Sequence, residues 1–229
     1  MIFSTADVPP DEAFDCWMDV VQTNISKFKI ENFDRRNFFA DLRVGTLGDL
    51  AIQEWHASPG ISRCDGADEL LLVLPSPRRI FEFKDRVTEL NRNTICLFDC
   101  REPFVGSAPA ALDRIQVRLP RDLLKRRASL LDTVNRSIPL TPDTRFLTTF
   151  VRNLVRAGPS TLSPDLAAMV SEQLLDLIAA ALPVPSPAPV TLDYARRIME
   201  AGILDAGRIA DRPARARAAL AAAGRKTRD

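Results

Sequence analysis

Histidine is almost missing from this sequence, with His56 the single one among 229 residues. A metal centre built for oxygenase or isomerase chemistry takes two or three histidines and a carboxylate converging on one ion. A histidine-rich metal site is therefore excluded, and the cysteines and carboxylates fall at no recognisable ligand spacing. A GxGxxG turn, a P-loop and a nucleophile elbow are missing too. No catalytic residue, metal or cofactor is expected, and the chain reads as a binder rather than an enzyme.

Long apolar runs are also missing. The longest aliphatic stretch, Leu70-Leu71-Leu72-Val73-Leu74, falls far short of the roughly 20 residues that span a bilayer. The opening Met1–Asp7 has neither the basic nor the apolar region of a signal peptide. These absences predict a cytoplasmic protein with no membrane partner. Neither sign of charge dominates: 31 Lys and Arg against 30 Asp and Glu leave +1, too little to draw the molecule toward nucleic acid. Cysteine is scarce, and in a cytoplasmic chain Cys16, Cys64, Cys96 and Cys100 are expected as buried thiols. Cys96 and Cys100 share a strand-like run, which at about 3.3 Å per residue holds them roughly 13 Å apart. A disulfide reaches about 7 Å.

What is present divides along the chain. After Pro9-Pro10, Asp11 is the expected N-cap of a helix whose Phe14, Trp17, Val20 or Val21, and Ile25 repeat at helical spacing. Such a helix braces whatever follows. From about residue 38 to 119 the pattern turns to short strands, at Phe39–Gly45, Leu50–Ala57, Ile61–Cys64, Glu69–Leu74, Arg79–Lys84, Thr94–Asp99 and Arg114–Leu119. Turns are expected at Gly45, Gly48, Pro59-Gly60, Asp65-Gly66, Pro75-Ser76-Pro77 and Asn91-Arg92-Asn93. Ile115-Gln116-Val117-Arg118-Leu119 alternates apolar and polar and predicts a half-buried strand. Seven short strands of this kind argue for a sandwich or jelly-roll barrel, whose mouth can hold a small molecule.

Three helices are expected next. The first carries Leu123, Leu124, Ala128 and Leu131; the second carries Phe146, Phe150, Leu154 and Val155 behind a Thr141-Pro142-Asp143 cap. The third starts at Ser163 with Pro164 in its first position and runs through Leu166, Val170, Leu174 and Leu177 or Ile178 to Leu182. Four prolines in residues 183–189 then make an extended spacer and a domain boundary. Residues 191–229 hold nine Arg and Lys against five Asp and Glu, a surplus of 4, whereas 22 against 25 before them leave a deficit of 3.

Several pieces occur in an order that is specific although no one of them is. They are Phe3-Ser4-Thr5 followed by Pro9, then Phe14-x-x-Trp17, then Phe39-Ala40-Asp41-Leu42 leading to Leu47-Gly48-x-Leu50, and Arg63. Leu97-Phe98-Asp99-x-x-x-Pro103-Phe104, Val117-Arg118-Leu119-Pro120-Arg121-x-Leu123-Leu124 and the trailing helices complete the set. Together they resemble the N-terminal sensor domain of AraC/XylS-type transcription regulators, in the subclass called AraC-binding-like. The resemblance implies an α+β fold over residues 1–182: a cupin-like jelly-roll β-barrel with an N-terminal helix and three C-terminal helices. It implies a small-molecule effector in the barrel and a dimer, either with a second copy or with an intact family member. Residues 183–190 become the linker, and 191–229 the remnant of a helix-turn-helix domain.

That remnant departs from the family. Thr191–Glu200 resembles its first helix, but the 39 residues from 191 to 229 are short for a pair of helix-turn-helix motifs. From Ala201 onward the only large apolar residues are Ile203, Leu204, Ile209 and Leu220, too few to pack such a domain. An out-of-frame translation of a GC-rich gene is one hypothesis for this alanine- and arginine-rich text. Resequencing near codon 200 tests it, and finding no frame with helix-turn-helix text would sink it. Arg212, Arg215, Arg217, Arg225, Lys226 and Arg228 could give weak, salt-dependent contact with DNA. Specific DNA binding is not expected of this chain alone.

The expected effector residues are Trp55, His56, Arg63, Phe81 and Phe83. His56 suits a hydrogen bond to an effector, or is a plain strand-end histidine. The Arg63 fork suits a carboxylate or phenolate, or a surface salt bridge. Phe81 and Phe83 form a ligand wall or core packing. Arg78-Arg79 and Lys125-Arg126-Arg127 read as solvated faces. On the third helix Met169, Val170, Gln173, Leu174, Leu177 and Ile178 form an apolar stripe that suits either a dimer interface or burial within one chain. A free-standing cupin-like protein that binds a small molecule without a role in transcription is the alternative reading.

Overall fold

The run Leu70–Leu74 dictates the layering, because a strand with one wet face cannot carry five consecutive aliphatic residues. In the computed structural model Leu70, Leu72 and Leu74 enter one core cluster and Leu71 and Val73 another. None of the five is more than 5% exposed. The strand therefore sits between two layers. The structure describes residues 1–24, 28–32, 34–122 and 133–182. All belong to the first of two compact units, Met1–Pro187; the second, Ala188–Asp229, lies outside them, as do the expected linker and tail.

Twelve strands form two antiparallel sheets among the described residues. The larger sheet contains β1 (Ile2–Ser4), β3 (Ala40–Leu47), β4 (Leu50–Ala57), β6 (Leu70–Val73), β9 (Thr94–Asp99), β11 (Leu112–Leu119) and β12 (Ile138–Pro139). Its spatial order is β1-β3-β4-β11-β6-β9-β12. The smaller sheet contains β2 (Phe28–Asn32), β5 (Gly60–Cys64), β7 (Arg79–Glu82), β8 (Val87–Leu90) and β10 (Phe104–Ala108), ordered β2-β5-β10-β7-β8. The α+β jelly-roll class expected from the sequence is present, with its walls formed as two facing sheets rather than as a closed barrel. Strands β4 and β9 have the expected bounds.

Period-two alternation sends each strand of the large sheet two ways. Leu50, Ile52, Ile95, Leu97, Val117 and Leu119 face the helices. Trp55, Ala57, Cys96 and Phe98 face the small sheet or the first helix. Strand β11 corrects the expected half-buried pattern: Gln116, on its polar side, is 0% exposed. It lies between β4 and β6, and its polar face turns between the layers at Arg114 and Gln116, whereas Arg118 near its end keeps 43% of its side chain exposed.

Helix α1 (Ala13–Asn24) buries Phe14, Trp17 and Val21 against Phe38, Leu42 and Trp55, the brace that the periodicity predicts. It starts two residues beyond the expected Asp11 cap, after a turn closed by Glu12 N–H donating to the Pro9 carbonyl at 3.0 Å. Ile25 and the expected helix of Leu123, Leu124, Ala128 and Leu131 lie outside the described residues.

Helix α2 (Pro142–Ala157) begins with a capping box in which the Thr141 hydroxyl accepts from Thr144 N–H. Its buried face is Thr144, Leu147, Thr148 and Val151, not the expected phenylalanine face. Phe146 is 63% exposed, and Phe150, Leu154 and Val155 are half-buried. Thr144 is drawn inward because its hydroxyl also donates to the Pro139 carbonyl at 3.3 Å. Helix α3 (Pro164–Ala181) has the expected Ser163 cap and buries Ala167, Ser171, Leu174, Leu175, Ile178 and Ala181.

Gly45 is inside β3, where a strand end and turn were expected. A Cβ there would stand 2.6 Å from Pro159 Cγ, so the glycine admits the 3-10 turn Pro159–Thr161 onto the sheet. Three of the thiols are buried as expected, while Cys16 is exposed on α1. The close thiol neighbours are Cys64 and Cys100, with Cys64 Sγ donating to the Cys100 carbonyl at 3.5 Å.

Candidate binding cavity

The alternation that builds the core also selects what points between the sheets near α1. On β7 it directs Arg79 and Phe81 inward and Glu82 outward. On β11 it directs Leu112 and Arg114 to the same side as Gln116, and on β4 Trp55 and Ala57 to the side opposite His56. These side chains, with Phe28, Phe98, Phe104 and Trp17, line a cavity that leaves about 60 Å³ for the centre of a water-sized sphere. A single water occupies a sphere of about 10–15 Å³. A centre space several times that size leaves room for a small organic molecule.

Its walls are held from behind. Trp17 meets Trp55 edge to face at 5.3 Å, and the Trp55 indole N–H donates to Gln53 Oε1 at 3.4 Å. Gln116 Nε2 donates to the same Gln53 oxygen across the β4–β11 pair. Phe81 packs on Phe98 at 4.4 Å and lies over Gly106, where a Cβ would come within 3.0 Å of its ring.

Two guanidinium groups stand among these rings. Arg79 is 4% exposed, and its Nε and Nη1 are sealed from water with no hydrogen-bond partner among the described residues. Arg114 Nε is sealed in the same way. Their company is aromatic: Arg79 Cζ lies 4.6 Å from the Phe81 centroid and Arg114 Cζ 4.6 Å from the Trp55 centroid. Among the described residues, no Asp, Glu or His lines the cavity. Burial lowers the Arg79 pKa to about 10. Burial and the neighbouring Arg79 charge push that of Arg114 well below its ordinary value. A guanidinium stays protonated at neutral pH, so two like charges share the lining of one cavity.

Of the expected effector residues, Trp55 and Phe81 line the cavity. Phe83 is buried in the aromatic cluster beside it, 5.6 Å from Phe104. His56 is on the opposite face of β4, exposed, its ring 5.1 Å from Phe39. Arg63 is an outward residue of β5 whose Nε donates to Glu31 at 3.1 Å, the salt bridge offered as its other reading. Arg78 is exposed and paired with Glu89, but Arg79 overturns the solvated reading of that pair. Arg79 and Arg114 are not among the effector residues expected from the sequence. The available signal was alternation: Arg79-x-Phe81 places the arginine on the face of a buried ring.

On α3, Met169 is 51% exposed and Val170 and Leu177 are half-buried, whereas Leu174 and Ile178 are 0% exposed within the one chain. Gln173 is exposed. Among the described residues, no group of three or more His, Cys, Asp and Glu could hold a metal ion. Nor is any of their helices long and apolar enough to cross a membrane.

The sequence pattern of the AraC-binding-like domain matches residues 17–183. The chain belongs to that family. No curated protein matches it. Among solved structures, this AraC-binding-like domain is similar to the AraC-like transcriptional activator CuxR, with 17% identity and a TM-score of 0.67 over 90% of this chain and 79% of that one. At that identity the likeness establishes a shared fold. Two smaller matches are the EutQ protein of Clostridium difficile, at 11% identity and TM-score 0.32 over 38% of this chain and 72% of that one, and a cupin 2 domain-containing protein of Halorhodospira halophila. The latter is at 11% identity and TM-score 0.28 over 57% of this chain and 95% of that one. At these scores neither carries an argument.

Proposed function

We propose that this chain is the sensing and pairing part of a cytoplasmic transcription regulator, which binds a small-molecule effector between its sheets and does not transform it. The observation that carries this reading is a partly enclosed aromatic cavity in the middle of an AraC-binding-like domain. Its lining offers no carboxylate or imidazole for acid–base chemistry, which favours recognition over turnover. Pairing is supported by Phe146, Leu166 and Met169, exposed on α2 and α3 beside half-buried Val170 and Leu177. A second copy, or an intact family member, is the proposed partner. This chain by itself is not proposed to grip specific DNA.

Both tryptophans of the sequence, Trp17 and Trp55, line the cavity, so an entering ligand reports itself by indole emission. We expect at least one member of a panel of organic acids, sugars and acyl compounds to change that emission and raise Tm with concentration. Ala57→Leu, which fills the cavity, should remove both responses while keeping the far-ultraviolet circular dichroism spectrum. No response to any panel member, or turnover of one, would overturn the reading.

A further inference from the structure

We infer that the cavity receives a small organic acid, with its anionic head held by Arg79 and Arg114 and its apolar body among the rings of Trp55, Phe81 and Phe104. This rests on the sensor reading above and specifies the chemistry of that site.

A buried charge is tolerated when it is paired and hydrogen-bonded. The described residues supply neither for Arg79: they offer it no ion pair and no hydrogen bond to Nε or Nη1. Eight other arginines among the described residues have carboxylate partners, among them Arg63 with Glu31 and Arg121 with Asp99. Arg79 differs from these in being almost wholly buried without such a partner. Two arginines that share one lining, with no carboxylate among the described residues there, are arranged for one shared anion. A planar fork of N–H donors matches a carboxylate in geometry as well as charge. The remaining lining is aromatic and aliphatic apart from Ser58 and Ser62, whose hydroxyls serve the Phe39 N–H and the Gly106 carbonyl. The walls thus ask for an apolar body and exclude a bare inorganic anion. The space suits a short chain or a single ring.

The full chain is titrated with hexanoate, its neutral isostere hexanamide, 3-phenylpropanoate, 3-phenylpropanamide and inorganic phosphate, following tryptophan emission and Tm. Each acid should bind about 10–100-fold more tightly than its amide, the worth of a hydrogen bond to a charged group. Phosphate should not compete. Arg79→Met and Arg114→Met should each bring acid affinity down to that of the amide, and Arg79→Lys should restore part of it. Circular dichroism and the ligand-free Tm confirm that each variant folds. Equal binding of acid and amide, an unchanged preference in both Met variants, or phosphate binding as tightly as hexanoate overturns the inference and leaves a sensor of another ligand class. Failure of every compound to bind overturns the inference and counts against the sensor reading as well.

Discussion

At the scale of single residues the molecule holds one charge it would be more stable without. Arg79 is 96% removed from solvent by its 4% exposure, with two nitrogens unpaired. Replacing a buried charge with an apolar side chain of similar volume often gains stability. Arg79→Met is therefore expected to raise the ligand-free unfolding free energy by about 1–3 kcal/mol, checked by urea titration. A loss of stability would show that the guanidinium is satisfied after all.

Asp99 behaves in the opposite way. Burial pushes its carboxyl up, but hydrogen bonds from Arg101 and Arg121 outweigh burial and hold it below the usual value. A carboxyl depressed in the folded state contributes fully above its unfolded pKa and loses that contribution as the pH falls through the folded one. Stability should therefore drop below about pH 4, and Asp99→Asn should flatten that part of the curve. An equally steep acid limb in the variant would assign the drop to other groups.

Among elements, legibility followed the kind of burial. Strands β4 and β9 were readable because turn residues flank dense apolar text, Gly48-Asp49 before Leu50 and Asn91-Arg92-Asn93 before Thr94. Strands β1 and β12 are three and two residues long, too short to show a period. Strand β2 reads Phe-Lys-Ile-Glu-Asn and β10 Phe-Val-Gly-Ser-Ala, one heavily charged and the other broken by glycine. Both exist because β5 lies between them and pairs with each. The face of α2 was misread because large aromatics drew the assignment, whereas Leu147 and Val151 do the packing. Gly45 reads as a turn in the sequence because nothing local announces that Pro159 crosses it. Gly45→Ala should cost about 1–3 kcal/mol through overpacking against a rigid ring, read as a lower urea midpoint with an unchanged m-value. A neutral result would mean that the 3-10 turn shifts freely.

At the scale of the whole molecule, three layers leave an apolar strip on the outer helices. Leu166, Met169, Val170 and Leu177 recur at helical spacing along α3, with Met169 51% exposed and Leu166 40% exposed. If this strip joins two copies, Met169→Glu should turn a dimer into a monomer in sedimentation velocity. Its effect on monomer stability should stay within about 0.5 kcal/mol, as for other surface substitutions. A dimer that survives the change would move the interface elsewhere.

The sequence by itself determined the family, the α+β class and the cap of each described C-terminal helix. These follow from local order, periodicity and capping, which are written in neighbouring residues. Only the tertiary structure decided which face of each strand is wet, because that depends on what covers the strand from elsewhere in the chain. The same arginine-bearing text reads as solvated on an edge and as a buried charge in the middle of a sandwich. Arg79 and Arg114 come from different strands and different sheets, and it is the closing of one sheet over the other that makes them a pair.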